Sequence, residues 1–388
     1  MTKKYFCFFM ILSFVASAAF AQGTIVTPTA KVNQRLSFSD DMAWENMELA
    51  LTRQIENLAK RPTLDRKIKY GADTYTFNDL KLSAELFLEF IQKYKTCMND
   101  GGADSVCSAQ MSDAINDRFN IYRPVTKNTE PGHGTQMPST FTAYYSPDLN
   151  GSLVQDADHP YPLYALPASA ADRGLSREKI DFDGALAGKG LEIVWIKESL
   201  YDIYLLHVQG GGRVRVPSPE GEKMYYVSYA GENGLSFKFV YHYMVANNML
   251  PAGNRGVEAQ RNYIAANPDK ARAIFASNPS YIFFKFTDSE PLGVDNIPLT
   301  QGRSMAIDMT VYKHSGAISF VQTTRPVKDE EGRTVFQPFS RFFMAQDTGG
   351  AIKGNARVDM YFGYGDEAEF TAYNTNVRGK HFFLIRKK

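Results

Sequence analysis

The chain has few of the residues and motifs on which several enzyme classes depend. Its six histidines are scattered, with no H-E-x-x-H pattern and no cluster with the three cysteines, so we expect no zinc site. It lacks the G-x-S-x-G motif of serine hydrolases, and the glycines at 210–212 are not followed by the Lys and Ser or Thr of a phosphate-binding loop. We therefore expect no metal, no cofactor and no nucleotide.

The chain also lacks a charge excess and a long internal apolar run. It has 43 Lys and Arg against 42 Asp and Glu, and these form no basic stripe, so we expect no nucleic-acid partner. No run beyond the N-terminal segment reaches the roughly 20 apolar residues that a membrane span requires. The 388 residues are enough for two or three domains.

The N-terminal segment has the composition of an export signal. Two lysines precede an apolar stretch and an Ala-x-Ala pattern, so we expect residues 1–21 to be removed and the mature chain to begin at Gln22 in the periplasm. Cys7 lies inside this segment without a preceding run of small residues, which argues against a lipid anchor. In an oxidising compartment, the neighbouring Cys97 and Cys107 are expected to form a disulfide.

The apolar pattern predicts two N-terminal helices followed by many strands. A period of three to four residues predicts an amphipathic helix at 40–60, and Thr76 to Asp79 resemble the capping box of a second helix. Helical patterns return over residues 235–278, and segment 208–214 is typical of a tight turn between strands. Short β-rich runs predict strands at 141–145, 192–196, 201–208, 213–216, 224–229, 281–286, 304–312, 317–322, 342–346, 358–362 and 381–386. Such strands, joined by glycine-rich turns, indicate a small closed barrel or a sandwich.

Three aspartates, Asp308, Asp347 and Asp359, each lie in or beside an apolar strand run. A buried carboxylate is costly without partners, so these residues either accept hydrogen bonds from loop amides or lie at the mouth of a site. If they were close together, the pKa of at least one would rise toward the range that a general acid needs. The residues alone leave the structural and the catalytic interpretation equally open.

One motif near these aspartates suggests a different enzyme class. Asp347, Thr348 and Gly349 reproduce the triplet of aspartic proteases. That chemistry needs two carboxylates that share one proton, and the chain has no second Asp-Thr/Ser-Gly. A protease would therefore require a homodimer to supply the second copy.

Six sequence blocks follow one another in a recognisable order. They are FTAYYSP (141–147), VQG (208–210), YAG with NG (229–234), NPSYIFF (278–284), SMAID (304–308), and DTGGAIKG with VDMYFGYGDEA (347–368). Together they extend over about residues 139–388 and closely resemble the membrane-bound lytic murein transglycosylase A family.

The resemblance implies a mainly β fold with helices, built on a double-psi β-barrel. Residues 22–147 would form the N-terminal helical region and the first part of the barrel, and residues 148–278 an inserted β-rich domain. Residues 279–388 would complete the barrel, with a glycan groove where the two domains meet. The family cleaves the bond between N-acetylmuramic acid and N-acetylglucosamine in peptidoglycan without water, forming a 1,6-anhydro ring. The implied enzyme is thus a lyase, an exo-acting lytic transglycosylase.

The resemblance also implies roles for individual residues. The catalytic aspartate falls on Asp359, with Asp347 and Asp308 in support. A single acid suits the chemistry, because the C6 hydroxyl of the sugar replaces water and an intramolecular nucleophile can have an effective molarity of about 10⁵ M or more. The candidate substrate-binding residues are Thr142, Tyr144, Tyr145, Gln209, Tyr361, Tyr364 and Lys353. The expected partners are peptidoglycan glycan strands and cell-wall enzyme complexes, and we expect a periplasmic monomer that can associate with the outer membrane.

Three departures from the family pattern concern the substrate subsites. The family commonly has Lys where this chain has Glu232, Gly where it has Glu369, and Ser where it has Gly211. Two other functions stay open at this point. One is a glycan-binding protein on the same fold that no longer turns over, which the three retained aspartates argue against. The other is a glycan hydrolase that adds water.

Overall fold

The computed structural model describes residues 23–125, 137–251, 256–288 and 290–388. The predicted export signal and the start of the mature chain at Gln22 lie outside these residues. Within them, seventeen strands and eleven α-helices form three sheets and the layers that cover them.

The bounds of the elements are as follows. The strands are β1 (Ile25–Thr27), β2 (Thr29–Val32), β3 (Lys67–Tyr70), β4 (Asp73–Thr76), β5 (Phe119–Pro124), β6 (Ser139–Tyr144), β7 (Asp148–Ser152), β8 (Tyr161–Tyr164), β9 (Glu192–Ile196), β10 (Gly211–Ser218), β11 (Gly221–Glu232), β12 (Ile282–Thr287), β13 (Ser304–Ile307), β14 (Ile318–Lys328), β15 (Thr334–Asp347), β16 (Arg357–Tyr361) and β17 (Asn376–Arg386). The helices are α1 (Met47–Ala59), α2 (Phe77–Asn99), α3 (Asp104–Arg118), α4 (Ala170–Arg173), α5 (Arg177–Asp181), α6 (Leu200–Gln209), α7 (Val240–Ala246), α8 (Val257–Ala266), α9 (Pro268–Ala276), α10 (Met309–Tyr312) and α11 (Asp366–Asn374).

Six strands close into a barrel in the order β14-β15-β13-β16-β6-β17. Closure occurs because β17 pairs with β6 through its first residues and with β14 further on. Alternate side chains fill the two sides: Phe343 and Met360 pack inside, whereas Phe342 and Met344 face the N-terminal helices. The closed barrel agrees with the predicted fold class.

A second sheet of six strands, in the order β12-β11-β10-β7-β9-β8, forms the inserted domain. Its last strand, β12, pairs with β11 beyond residue 278, where we expected the chain to return to the barrel. The reason is that the two sides of β12 are buried in different clusters of the insert, with Phe283 in one and Phe284 in the other. The chain re-enters the barrel only at β13.

The two N-terminal helices differ in how well their starts were predicted. Helix α2 follows Thr76, whose side chain forms the expected capping box with Asp79. Helix α1 begins at Met47 and not at residue 40, because Ala43, Trp44 and Asn46 have positive φ. That turn is held by Asp40, whose carboxylate accepts the N–H groups of Met42 and Trp44.

The segment predicted as a strand at 201–208 is instead helix α6. Ser199 and Asp202 form a capping box at its start, and Gly210 ends it with φ of 81°. Five of the six side chains from Tyr201 to Leu206 are apolar and buried. They surround most of the helix, so the sequence does not show the 3.6-residue alternation of apolar and polar faces that predicts a helix. Segment 208–214 is therefore the end of a helix leading into β10, and not a turn between two strands.

Two further features of the scaffold bear on the sequence predictions. Cys97 and Cys107 form the expected disulfide, which ties the end of α2 to α3. No helix in the described ranges is long and apolar enough to cross a membrane.

Candidate active site

A cavity of about 320 Å³ opens where the barrel meets the inserted domain. The barrel contributes β6, β13, the end of β15 with the loop that follows it, β16 and the end of α11, and the insert contributes the end of α6 and Phe239, which precedes α7. The lining residues are Thr142, Ala143, Tyr144, Val208, Gln209, Phe239, Ala306, Asp347, Thr348, Gly349, Gly350, Ala351, Ile352, Arg357, Asp359, Ala372 and Thr375.

Strand register brings two carboxylates to this cavity side by side. Ala306 on β13 pairs with Asp347 of β15 on one side and with Asp359 of β16 on the other. Thr142 of β6 pairs with Asp359 in turn. Directly paired residues project from the same face of a sheet, so these side chains share one surface. The methyl group of Ala306 is the small side chain between the two acids.

A β-bulge sets the direction of Asp347. Met305 pairs with Ala345, but the next residue of β13, Ala306, pairs with Asp347, so Gln346 is the extra residue. Gln346 is fully buried, where its side chain accepts from Ser304 Oγ at 2.7 Å and donates to the Ala50 carbonyl at 3.1 Å. The bulge therefore turns Asp347 toward the cavity instead of the protein interior.

Asp359 is half-buried, and one hydroxyl group holds its carboxyl group. Thr142 Oγ1 donates to Asp359 Oδ1 at 2.6 Å. Burial raises the pKa of Asp359, and although the Thr142 hydrogen bond and the charge of Arg357 lower it, the pKa stays above its usual value. This carboxyl group therefore retains a proton to a higher pH than an exposed aspartate does.

Asp347 is held by a different hydroxyl group. Tyr144 OH donates to Asp347 Oδ2 at 2.6 Å, and the Tyr144 ring stacks at a tilt on Tyr361 with centroids 5.1 Å apart. Burial raises the pKa of Asp347 to about 6, against the lowering effect of the Tyr144 hydrogen bond, and the charge of Asp359 adds to the rise. At neutral pH Asp347 is therefore mostly ionised.

Asp308 has a separate structural position behind the cavity. It ends β13 and caps helix α10, so the strand predicted at 304–312 stops at Ile307. Its carboxylate accepts from Thr310 N and Oγ1 and from Gly354 N, which fastens the loop that follows Asp347. Burial alone would raise the pKa of Asp308. The hydrogen bonds lower it by a larger amount, so the pKa lies below its usual value. Asp308 does not line the cavity.

Four of the predicted substrate-binding residues lie away from the cavity. Tyr145 is buried and its hydroxyl bonds Tyr373, and Tyr361 is fully buried with its hydroxyl on Ser146. The ring of Tyr364 is covered by the guanidinium of Arg213 at 4.1 Å, and Lys353 is exposed outside the cavity. By contrast, Thr142, Tyr144 and Gln209 do line it.

Arg357 and Phe239 line the cavity but were not singled out from the sequence. Arg357 lies two residues before Asp359 on the same strand, and period-two alternation would have placed both on one face. Phe239 comes from the inserted domain, and no local signal in the sequence ties it to the aspartates. Among the described residues, no group of three or more His, Cys, Asp or Glu side chains is arranged to hold a metal ion.

Two family models match the chain in consecutive segments. The model described as the MltA-specific insert domain matches residues 140–285, and the model of the 3D domain matches residues 303–382. Together they account for more than half of the chain. Asp308, Asp347 and Asp359 all fall within the second.

Individual proteins show the same likeness. The chain is 29% identical over 246 residues to membrane-bound lytic murein transglycosylase A of Escherichia coli (strain K12), a match that spans 63% of this chain and 65% of the relative. The solved lytic transglycosylase LtgG of Burkholderia pseudomallei is 25% identical, with a TM-score of 0.57 over 93% of this chain and 98% of that one. The structure of E. coli MltA with bound chitohexaose is 22% identical, with a TM-score of 0.67 over 95% and 97% of the two chains. These structures confirm the two-domain fold that the sequence resemblance implied.

Proposed function

Because this chain belongs to the membrane-bound lytic murein transglycosylase A family, we propose that it is a lytic transglycosylase acting on peptidoglycan. It cleaves the β-1,4 bond between N-acetylmuramic acid and N-acetylglucosamine and leaves a 1,6-anhydro ring on the muramic residue. The observation that carries this proposal is a half-buried, hydroxyl-bound Asp359 with a raised pKa in a cavity between barrel and insert.

In the first step, Asp359 acts as the general acid. Thr142 occupies Oδ1, so the proton can reside on Oδ2 and be delivered to the departing glycosidic oxygen. The raised pKa keeps this proton in place closer to neutral pH. Protonation of the leaving group allows the bond to the muramic residue to break through a transition state with oxocarbenium-ion character.

In the second step, the same residue acts as the general base. Once it has lost its proton, Asp359 takes the proton of the C6 hydroxyl, and the C6 oxygen attacks the anomeric carbon to close the anhydro ring. The first step leaves Asp359 in the form that the second step requires, and the second restores the acid. No water molecule is consumed.

Asp347 has an electrostatic role in this scheme. With a pKa of about 6 it is mostly negative at pH 7, and it lines the same cavity as Asp359. A fixed negative charge next to the ring stabilises the positive charge that develops there during bond breaking. Tyr144 orients this carboxylate, and Gln209 offers an amide to sugar hydroxyl or N-acetyl groups from the insert side.

Asp308 supports the site indirectly. By accepting the N–H of Gly354, it fixes the end of the loop that contains residues 348–352, and by capping α10 it fixes its own position. We further propose that the protein is exported to the periplasm, where its substrate lies, and that it associates there with the outer membrane.

The direct test is a digest of purified sacculi by the exported form of the protein, with muropeptide analysis by mass spectrometry. We expect anhydro-muramic ends from the native enzyme and none above background from Asp359→Asn, which keeps the size and loses the transferable proton. Thr375→Val, which removes a hydroxyl bonded to Thr371 in the same cavity, should remain active. Equal release of anhydro ends by Asp359→Asn would overturn the assignment of the acid.

A second function has one observation in its favour. Two carboxylates line the cavity, and a pair of carboxylates is the usual equipment of a glycan hydrolase. In that case Asp347 would serve as base or nucleophile, and the same digest would yield reducing ends in place of anhydro ends. Intact strands would instead indicate a protein that binds glycan without cleaving it.

A further inference from the structure

Segment 235–239 of the inserted domain presents aromatic side chains to solvent beside the cavity. Phe237 and Phe239 are 45% and 43% exposed, and Leu235 is 39% exposed. Exposed aromatic side chains in a cluster are unfavourable in water unless they have a partner. Phe239 also lines the cavity that contains Asp359, so the exposed group continues directly from the candidate active site.

The backbone of this segment is fixed at its first end by Asn233. Asn233 is 7% exposed, and its side-chain oxygen accepts from the N–H groups of Leu235 and Tyr281. Its side-chain nitrogen donates to the carbonyls of Leu175 and Pro279. One asparagine side chain thus ties the segment to two other parts of the insert.

The other end is fixed in a similar way. Asn278, which is 1% exposed, accepts from Lys238 N at 3.1 Å and from Ser280 N. Immediately after Phe239, the fully buried Val240 donates its N–H to Tyr204 OH at 3.3 Å. Asn233 and Asn278 belong to the sequence blocks at 229–234 and 278–284, which have no role in the proposed mechanism. Together they hold segment 235–239 at both ends.

The two rings are arranged as a small platform. Their centroids are 4.7 Å apart with an interplanar angle of 84°, so the edge of one meets the face of the other. The backbone on both sides is rigid, and the rings remain open to solvent. An aromatic ring that is held in place in this way binds an apolar ligand face at a low cost in conformational entropy.

We propose that Phe239, supported by Phe237, is a substrate-binding residue on which the apolar face of one sugar ring of the glycan strand stacks. The inference rests on the proposed function, because it takes the glycan strand as the ligand of the cavity. Phe239 lines the cavity from the insert, whereas Asp347 and Asp359 line it from the barrel, so the platform contributes to holding the strand where the two domains meet.

The test measures binding of chitohexaose, the β-1,4-linked hexasaccharide bound in the E. coli MltA structure, to the full-length exported protein. Asp359→Asn serves as the background to prevent turnover. We expect Phe239→Ala to weaken binding about tenfold and Phe237→Ala to weaken it less, as measured by calorimetry. Phe336→Ala is the matched control, because Phe336 is 51% exposed at the distant end of β15 and should leave binding unchanged.

A second variant separates stacking from a structural effect. Phe239→Trp should keep the affinity within about threefold, and the fluorescence of the introduced indole should shift on addition of chitohexaose. Unchanged affinity in Phe239→Ala, or indole fluorescence in Phe239→Trp that does not respond to the sugar, would overturn the inference. These outcomes differ from a failure of the proposed function, in which the native enzyme itself would release no anhydro ends from sacculi.

Discussion

Asp347 and Asp359 face the same cavity, but a different hydroxyl group holds each carboxyl. Burial raises the pKa of both carboxyl groups, that of Asp347 to about 6, while the Thr142 hydroxyl lowers the pKa of Asp359 and the Tyr144 hydroxyl lowers that of Asp347. Because both carboxyl groups have a raised pKa, the proposed division into an acid and a fixed negative charge rests on the place of Asp359 in the collinear sequence blocks. The raised pKa values follow from burial and hydrogen bonding, which neither residue's sequence neighbours reveal.

Removing the Thr142 hydroxyl should change the pH dependence of turnover. The hydrogen bond lowers the pKa of Asp359, so Thr142→Val should raise that pKa. Because the reaction needs protonated Asp359, activity falls as pH rises through this pKa, and the alkaline limb should move to higher pH in the variant. We also expect kcat to fall about tenfold as the carboxyl loses its orientation. A pH–rate profile measures both, and an alkaline limb that stays in place would contradict the role of the bond.

The raised pKa of Asp347 should also cost stability. Its pKa is about 6 in the folded protein and about 3.9 in an unfolded chain, so the folded protein binds this proton more tightly. Protonation of Asp347 therefore stabilises the fold below pH 4, and this contribution is lost as pH rises through 6. Asp347→Asn should therefore be more stable than the native protein at pH 7, by about 1–3 kcal/mol, with a smaller difference near pH 4. Denaturant unfolding at the two pH values measures this difference.

Asp308 provides a control of opposite sign for that experiment. Its pKa is lowered in the fold, so its ionised form stabilises the protein above the unfolded pKa, and that contribution is lost as pH falls. Asp308→Asn should be less stable than the native protein at pH 7. Destabilisation by both substitutions would count against the opposite environments assigned to the two aspartates.

How much of the site the sequence predicts depends on the kind of residue. Asp359, Thr142, Tyr144 and Gln209 were identified through the collinear blocks, and all line the cavity. Tyrosines in the same blocks were harder to interpret, because a strand has two faces and the motif does not say which face is buried. Tyr361, for example, lies on the buried face of its strand and does not reach the cavity.

At the scale of secondary structure, the short strand β13 determines how the two carboxylates meet. Ala306 lies between Asp347 and Asp359, and the bulge at Gln346 aligns Asp347 with it. A small side chain at this position leaves space over the sheet for a sugar ring.

A larger side chain at position 306 should block that space. Ala306 lines the cavity, although it is only 3% exposed, so the longer side chain of Ala306→Leu would fill the space between the two carboxyl groups. We expect turnover of sacculi to fall by about a hundredfold or more while the melting temperature changes by only a few degrees. Ala306→Gly, which keeps the space open, is the control and should retain activity. Retention of activity by Ala306→Leu would mean that the substrate does not cross this part of the sheet.

Local signals predicted some elements and missed others for identifiable reasons. The capping box of α2 is visible in the sequence, and so are the β-rich runs of the long barrel strands. Helix α6 was missed because it is buried on nearly all sides. The start of α1 was predicted too early because residues 43–46 include left-handed backbone, which forms next to the ion pair between Asp40 and the distant Arg303. Contacts that are remote in sequence decide such cases.

At the scale of the whole molecule, the cavity depends on how the insert sits against the barrel. Arg261 of the insert bonds both Asp202, at 2.9 Å, and Glu369 of the barrel helix α11, at 3.1 Å. Tyr373 of the same helix packs against the cores of both domains. This ion pair therefore links the insert directly to the barrel.

Weakening this link should affect substrate binding more than chemistry. The pair is partly exposed and is worth up to about 1 kcal/mol, so Glu369→Gln should raise KM about threefold with kcat nearly unchanged. Added salt should bring the KM of the native enzyme toward that of the variant. Glu367→Gln is the matched control, because Glu367 is largely exposed and its nearest cation, Arg325, belongs to the barrel. Identical KM values and salt dependence in all three proteins would exclude a role for the link in substrate binding.

The central claim is that one aspartate cleaves the glycan bond without water, and a digest of sacculi in heavy-oxygen water tests it most directly. The account predicts that the native enzyme releases anhydro ends that contain no heavy oxygen, and that Asp359→Asn releases none. Heavy oxygen at newly formed reducing ends would contradict the account, because it would show that water, and not the C6 hydroxyl, attacks the anomeric carbon.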